Sequence, residues 1–363
     1  MKLPDFKTEQ WMNDYERQAV CNMTDTCVAP LSFPELMGFD HHHLLDSVTL
    51  DYGVIPGDER LRNEILKLYS SGTIDQITLA DGCLQANELV MHTLLEPGDR
   101  VVTFTPSYQQ FEDVPRSLGC EVAVLPLSEA SGWQPDGSDL QSAFEKPVKM
   151  VILNMPNNPT GSVLKPELFS ELLSLCRKHQ SWILCDEVYR DPEMQSVADV
   201  YEYGISTSSL SKLFSLAGLR LGWVRGPEKL IHLINVRRDY SMISTGPLAD
   251  TLGYLALLNR DFLLSRSRER ISACKAVVKT WLKKEPKASL VMPDYGTVSF
   301  LHYEADIPST KLAQDLLAES GVFFVPGSCF DCEHHLRLTF TADPHTEEYG
   351  LMVLSEYLNR SGD

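Results

Sequence analysis

The chain has 363 residues, enough for about two domains at roughly 150 residues each, and its 43% hydrophobic and 23% charged residues exclude a disordered polymer. Lys and Arg number 32 against 50 Asp and Glu, and the resulting formal charge of −18 repels phosphate backbones and excludes nucleic acid as a general partner. Nine cysteines are too sparse for a disulfide scaffold, the first ten residues lack a signal-peptide core, and no apolar run nears the ~18 residues of a membrane helix, so a soluble cytoplasmic protein without membrane contact is expected.

Residues 1–45 contain Pro4, Pro30 and Pro34 and a helical stretch near residues 11–20. They are expected to form an N-terminal arm that packs on the smaller domain, with His41, His42 and His43 as solvated loop residues. Residues 46–250 form the expected large domain. Within it, short apolar runs alternate with helical patterns, giving strands at residues 100–104, 121–125, 149–153, 182–185 and 204–207. The stretch after Glu167 is apolar on one helical face. Such alternation predicts an α/β domain with a mostly parallel sheet, and continuous apolar strands fit burial on both faces. Beyond Pro247 the texture changes, and residues 251–363 are expected to form a smaller α+β domain. A long helix carries Ile271, Cys274, Val277, Val278 and Trp281 on one face, with Lys275, Lys279, Lys283 and Lys284 read as a solvated surface rather than an anion-binding one. Strands near residues 298–301 and 336–340 flank a helix near 309–320. Cys329, Cys332, His334 and His335 have a metal-like composition, but the second ligand pair of a zinc knuckle is missing and no metal site is expected.

In open parallel sheets ligands sit outside the C-terminal ends of the strands, so polar residues there carry the chemistry. The most informative stretch is Ser209-Leu-Ser-Lys212, followed by Gly218-Leu-Arg220-Leu-Gly222-Trp223. A lysine in a small-residue loop after a strand suits a Schiff-base nucleophile. Ser209 and the fork of Arg220 can donate to a phosphate, and glycines let the backbone approach it. Asp186 and Tyr189 follow the strand at 182–185. A half-desolvated acid there needs a positive partner, and a protonated pyridine nitrogen would be one. Asn158 lies in Asn157-Asn158-Pro159-Thr160-Gly161, a tight loop after the strand at 149–153.

The motifs Asn-Asn-Pro-Thr-Gly, Asp-Glu-Val-Tyr, Ser-x-Ser-Lys and Arg-Leu-Thr-Phe, in this order, resemble those of the class I/II aminotransferases of the pyridoxal-phosphate-dependent fold type I superfamily. The resemblance runs from about Tyr52 to Phe340. It implies an α/β fold in which a mostly parallel seven-stranded sheet flanked by helices forms the large domain, beside a smaller α+β domain. It further implies pyridoxal 5′-phosphate as cofactor, transfer of an amino group from an L-amino acid to a 2-oxo acid, and a homodimer with shared active sites. Carried over residue by residue, Lys212 would hold the cofactor as a Schiff base and serve as acid and base. Asp186 would pair with the pyridine nitrogen, and Tyr189 and Asn158 would bond the ring's 3-oxygen. Ser209 and Arg220 would bind the phosphate with the turn Gly82-Cys83-Leu84 that opens a helix. Cys83 and Leu84 replace the family's commoner small or hydroxyl residues, which favours backbone contacts there. Tyr108 would stack on the ring, Tyr52 would reach the neighbouring subunit's phosphate, and Arg337, with Asn158, would bind the substrate, the arginine taking its α-carboxylate.

The same site can serve a lyase that eliminates a β- or γ-substituent, or a cyclase. Residues 11–16 and 31–35 are similar to the branch with capreomycidine-synthase-like enzymes, which act on a hydroxylated arginine. Asp14, Glu16, Asp25 and Glu35 are candidates there for binding a cationic side chain. A non-catalytic aminotransferase-like ligand sensor is a third reading. Against it stand the short arm, the acidic charge and Lys212.

Overall fold

The continuous apolar runs form the middle of a seven-stranded sheet in the computed structural model, which describes residues 2–360. In chain order, the arm contributes a two-residue strand β1 (Cys21–Asn22). The large sheet follows with β2 (Ile77–Asp81), β3 (Arg100–Thr105), β4 (Glu121–Pro126), β5 (Met150–Asn154), β6 (Trp182–Asp186), β7 (Gly204–Ser209) and β8 (Leu221–Arg225). Their order is β2-β8-β7-β6-β5-β3-β4. The pairs among β3 to β7 are parallel, and β8 runs antiparallel to both its neighbours. The five predicted strands are β3 to β7. The sequence reading named neither β2 nor β8; in β8, Gly222 and Arg225 break the apolar run.

Successive side chains of a strand point to opposite faces. Val101, Ile152, Leu184, Ile205 and Val224 therefore pack on one face, with Ala86, Leu89 and Val90 of the helix Gly82–Leu94. Val102, Val151, Leu153, Ile183 and Cys185 enter a second core on the other face, which includes Leu172 and Cys176 of the helix Pro166–His179. Burial on both faces is why these strands read as unbroken apolar runs.

The C-terminal part forms an antiparallel sheet of β9 (Ala288–Ser289), β10 (Val298–Tyr303), β12 (Val325–Pro326) and β13 (His335–Thr339), in the order β12-β13-β10-β9, while β11 (Val322–Phe323) pairs with β1 of the arm. The helices Arg260–Leu282, Ser309–Ser320 and Pro344–Arg360 accompany it. The register opposes Arg337 to Phe300 and to Val325, which fixes Arg337 in mid-sheet. The arm helix spans Lys7–Tyr15, four residues earlier than predicted, and gives way to a 3₁₀ turn and β1. Trp11 Nε1 donates to the Phe324 carbonyl at 2.9 Å, so the arm is stitched to the C-terminal sheet by a ladder and by a buried indole.

Lys275 departs from the expected solvated surface. Its Nζ donates to the carbonyls of Pro293 (2.8 Å) and Asp294 (3.0 Å), and burial pushes its pKa down to about 8. Lys279, Lys283 and Lys284 are exposed, as are His41, His42 and His43. His335 is packed against Phe300 at 4.6 Å between ring centroids, with Nε2 3.3 Å from Glu129. Among the described residues no helix is long and apolar enough to cross a membrane.

Candidate active site

A cavity of about 450 Å³ opens where β5, β6 and β7 end, roofed by the arm. Parallel pairing puts these C-terminal ends side by side: Asn154 opposes Asp186 in register, and Asp186 opposes Thr207. The three loops that follow bring Asn158, Tyr189, and Ser209 with Lys212 to the cavity wall.

Asp186 is buried at the floor. Its carboxylate accepts from Asn87 Nδ2 at 2.7 Å, from the Val188 amide at 3.0 Å and from Asn154 Nδ2 at 3.4 Å. Asn87 is aimed by Thr207, whose hydroxyl donates to Asn87 Oδ1 at 2.5 Å, and it also donates to Gln110. Burial raises the Asp186 pKa, and the Asn87 and Val188 donors oppose that rise. A carboxylate held this way, without an ion pair among the described residues, is ready to receive a buried cation.

Lys212 lies across the cavity, with Nζ donating to Thr26 Oγ1 of the arm and 3.6 Å from Cys27 Sγ. The amine is 5.7 Å from the centre of the Tyr189 ring. Burial works against its charge, but Tyr189, Cys27 and Asp25 outweigh that and hold its pKa above the ordinary lysine value. Tyr189 is itself buried, which raises its phenol pKa.

Beside β2 the helix Gly82–Leu94 begins at once, and Asp81 at its N-cap makes no capping side-chain bond. Gly82 has φ +79° and Arg220 has φ +51°, so both turns use left-handed backbone. A Cβ on Gly82 would lie 2.6 Å from Arg220 Nη2, and one on Gly222 would lie 2.4 Å from the Gly82 carbonyl carbon. The two glycines thus let β8 and the helix turn touch through backbone, with the Arg220 guanidinium laid over them. Uncapped amides, a guanidinium and the Ser209 hydroxyl form an anion cradle. Cys83 and Leu84 line the cavity beside it, and burial lifts the Cys83 thiol well above its usual range.

Arg337 is 4% exposed. Its Nε donates to Thr24 Oγ1 at 2.9 Å, Nη2 to the Thr24 carbonyl at 3.1 Å, and Nη1 to Asn158 Oδ1 at 3.4 Å. All three partners are neutral, and among the described residues none of Arg337, Arg220 and Lys212 has an ion-paired carboxylate. Tyr108 lines the cavity and donates its hydroxyl to Glu9 at 2.8 Å, with Phe6 packed 4.7 Å away.

Ten of the expected residues therefore line one cavity: Cys83, Leu84, Tyr108, Asn158, Asp186, Tyr189, Ser209, Lys212, Arg220 and Arg337. Gly82 lies directly behind Arg220. Tyr52 is elsewhere on this chain, 71% exposed, its carbonyl accepting from Ser244. The sequence reading missed Asn87 and Thr207, which orient Asp186, and the arm residues Thr8, Glu9, Thr26 and Cys27 as cavity parts. Asn87 lies one helical turn after Cys83, and a polar residue on that apolar face was the available signal. Of the four acids considered for a cationic side chain, only Asp25 lines the cavity. Glu35 caps its own helix through Ser32, and Asp14 is exposed on the arm helix.

Comparison with known proteins places the chain. The family model "Aminotransferase class I and II" matches residues 34–353. A capreomycidine synthase from Streptomyces vinaceus is 29% identical over 366 residues, covering 98% of this chain and 94% of its own. An aspartate aminotransferase from Sulfurisphaera tokodaii is 25% identical, covering 86% of this chain and 82% of its own. Among solved structures, a PLP-dependent aminotransferase from Streptococcus suis superposes with a TM-score of 0.95 at 34% identity, over 100% of both chains. The PLP-dependent cyclase OrfR superposes with a TM-score of 0.89 at 26% identity, over 99% of this chain and 98% of its own. The chain belongs to the class I and II aminotransferase family and is a PLP-dependent enzyme of fold type I.

Proposed function

We propose that this enzyme transfers an amino group from an L-amino acid to a 2-oxo acid. The observation that carries this is the convergence of the Lys212 amine, the buried Asp186 carboxylate and the counter-ion-free Arg337 guanidinium on one cavity. The residues fit pyridoxal 5′-phosphate on features of this chain alone. Gly82, Gly222, Ser209 and Arg220 frame an anion cradle that a Cβ would fill, and Asp186 is a buried acid lacking a cation. Gly82, Cys83, Leu84, Ser209 and Arg220 would hold the phosphate, Tyr189 and Asn158 the ring's 3-oxygen, and Tyr108 the ring face. When bound, the cofactor supplies an electron sink for the bonds around the substrate Cα.

The chain's own groups do the rest. Asp186, oriented by Asn87, holds a proton on the pyridine nitrogen. Arg337 fixes the α-carboxylate with its fork of donors, which sets the Cα–H toward Lys212. Freed by the substrate amine, Lys212 would take the proton from Cα as general base and, as general acid, would deliver it to the cofactor carbon to which the lysine had been joined. Tyr52, exposed here, is proposed to complete the phosphate site of a second copy in a homodimer, with the arm (residues 1–45), large domain (46–250) and small domain (251–363) as its parts.

A second reading, a lyase or cyclase on the same scaffold, is favoured by the capreomycidine synthase and OrfR likenesses over nearly the whole chain. The discriminating experiment incubates the holoenzyme with amino acids, with and without 2-oxo acids, and scores new oxo acid against ammonia or a cyclic product. Stoichiometric exchange of amino group for oxo group supports transamination, and ammonia or a ring without a new amino acid overturns it. Lys212→Ala is expected to lose turnover by at least a thousandfold, and near-normal turnover in it would sink either reading.

A further inference from the structure

We infer that Thr26 of the arm is a positioning residue for Lys212, its hydroxyl holding the freed amine where it meets the substrate Cα proton. This rests on the reading above, in which Lys212 moves that proton, a step that a transaminase and a cyclase share. The Lys212 amine donates to Thr26 Oγ1, and Cys27 Sγ lies 3.6 Å from the same nitrogen. Thr26 lines the cavity and is half-buried. A lysine amine ends a flexible four-carbon stem, so it samples many positions unless a fixed partner holds it. Proton transfer needs one of those positions.

A hydroxyl suits this task. Thr26 can accept an N–H from Lys212 whether the nitrogen is an amine or an ammonium, because both carry donors. A carboxylate in its place would favour the ammonium and hold back the proton that Lys212 must pass on. Thr26 also acts on the neighbouring phenol. Burial raises the Tyr189 pKa, while Lys212, Arg337 and a hydrogen bond with the Thr26 hydroxyl act the other way. One arm hydroxyl thus stands between the amine that moves the proton and the tyrosine beside it.

The backbone that carries this hydroxyl is fastened at each residue from Met23 to Thr26. The Met23 amide donates to the Phe323 carbonyl at 2.9 Å, and its carbonyl accepts from the Thr339 amide at 2.8 Å. Thr24 Oγ1 accepts from Arg337 Nε at 2.9 Å, and the Asp25 carbonyl accepts from the Thr339 and Thr341 hydroxyls. The Thr26 carbonyl accepts from Thr297 Oγ1 at 2.8 Å. Thr24 and Thr26 therefore hold the α-carboxylate clamp and the proton-moving amine from one short segment. Because that segment is tied to the C-terminal sheet, it sets the distance between the two.

The test mixes holoenzyme with the standard L-amino acid that changes the bound cofactor's absorbance fastest, and compares the parent with Thr26→Val and Thr26→Ser. Valine keeps the shape and removes the hydroxyl, whereas serine keeps it. In Thr26→Val the saturating rate should fall about 10- to 100-fold, with half-saturation within about twofold of the parent. Deuterium at Cα should slow that variant by a larger factor than it slows the parent. Thr26→Ser should run within about threefold of the parent rate. In absorbance titration, Thr26→Val apoenzyme should bind pyridoxal 5′-phosphate no more weakly than parent apoenzyme. A valine variant as fast as the parent, a serine variant as slow as the valine one, or an isotope effect no larger than the parent's overturns the inference. So does a loss of cofactor affinity that matches the loss of rate, and each of these leaves the functional reading standing. A parent enzyme silent toward every amino acid overturns both.

Discussion

Replacing Asn87 by leucine tests whether the acid at the cavity floor works as a charge held ready for a cation. Asn87 is 1% exposed and donates at 2.7 Å to Asp186, the shortest of that carboxylate's donors. Leucine has a similar volume and no donor, which leaves Asp186 the Val188 amide at 3.0 Å and a longer Asn154 contact. A hydrogen bond to a charged group is worth about 1.5–3 kcal/mol. Without cofactor, Asp186 can avoid much of that loss by taking a proton, since burial already raises its pKa. With cofactor, it must stay ionised opposite the pyridinium, and the full loss falls on binding. The apoenzyme of Asn87→Leu should therefore bind pyridoxal 5′-phosphate about 10- to 150-fold more weakly, converting at 1.4 kcal/mol per tenfold. Absorbance titration of apoenzyme gives Kd, and urea unfolding of the same sample reports the fold. An unchanged Kd in a folded variant would refute the assignment of Asp186, and of Asn87 as the residue that positions it.

Gly222→Ala should disturb the anion cradle, because its Cβ would lie 2.4 Å from the Gly82 carbonyl carbon and 2.7 Å from the Cys83 amide nitrogen, both rigid backbone. Relief needs a shift of about 1 Å, so about 1–3 kcal/mol of stability should be lost together with cofactor affinity; wild-type values for both in urea unfolding and cofactor titration would show that the two elements do not meet as described. Glu347 is fully buried, neither carboxyl oxygen has a hydrogen-bond partner among the described residues, and burial raises its pKa well above the usual range. A raised folded-state pKa means that its contribution is fully present below the unfolded value of about 4.3 and is lost as pH rises toward the folded one. Glu347→Gln removes that proton, so its stability relative to the parent should climb with pH above about 5, by up to about 1.4 kcal/mol per unit; parallel stability curves from urea melts at pH 5 to 8 would contradict a buried neutral acid.

The parts of the site that sequence made readable share a local signature. Asp186, Asn158 and Ser209 to Lys212 each follow an apolar run at the point where a strand must end, and polar or glycine-rich residues at that point stand out without any knowledge of the fold. Arg337 and Tyr108 have no such signature and were reached only through likeness to a family. β8 was hidden for a physical reason: its glycine, tryptophan and arginine answer to the Gly82 backbone, to Tyr69 and to Asp199, each far away along the chain.

From the sequence alone came the α/β class, the five parallel strands and the groups able to act as nucleophile, acid and anion ligands, because hydrophobic period and strand-end chemistry are properties of neighbouring residues. Tertiary structure alone decided which groups meet. Thr26 reaches Lys212 across 186 positions, Thr24 reaches Arg337 across 313, and Asn87 reaches Asp186 across 99. No local pattern encodes such pairings. They exist because parallel strand ends converge on one edge of the large sheet, and because β1 ties the arm to the C-terminal sheet and so draws its acids and hydroxyls over that edge.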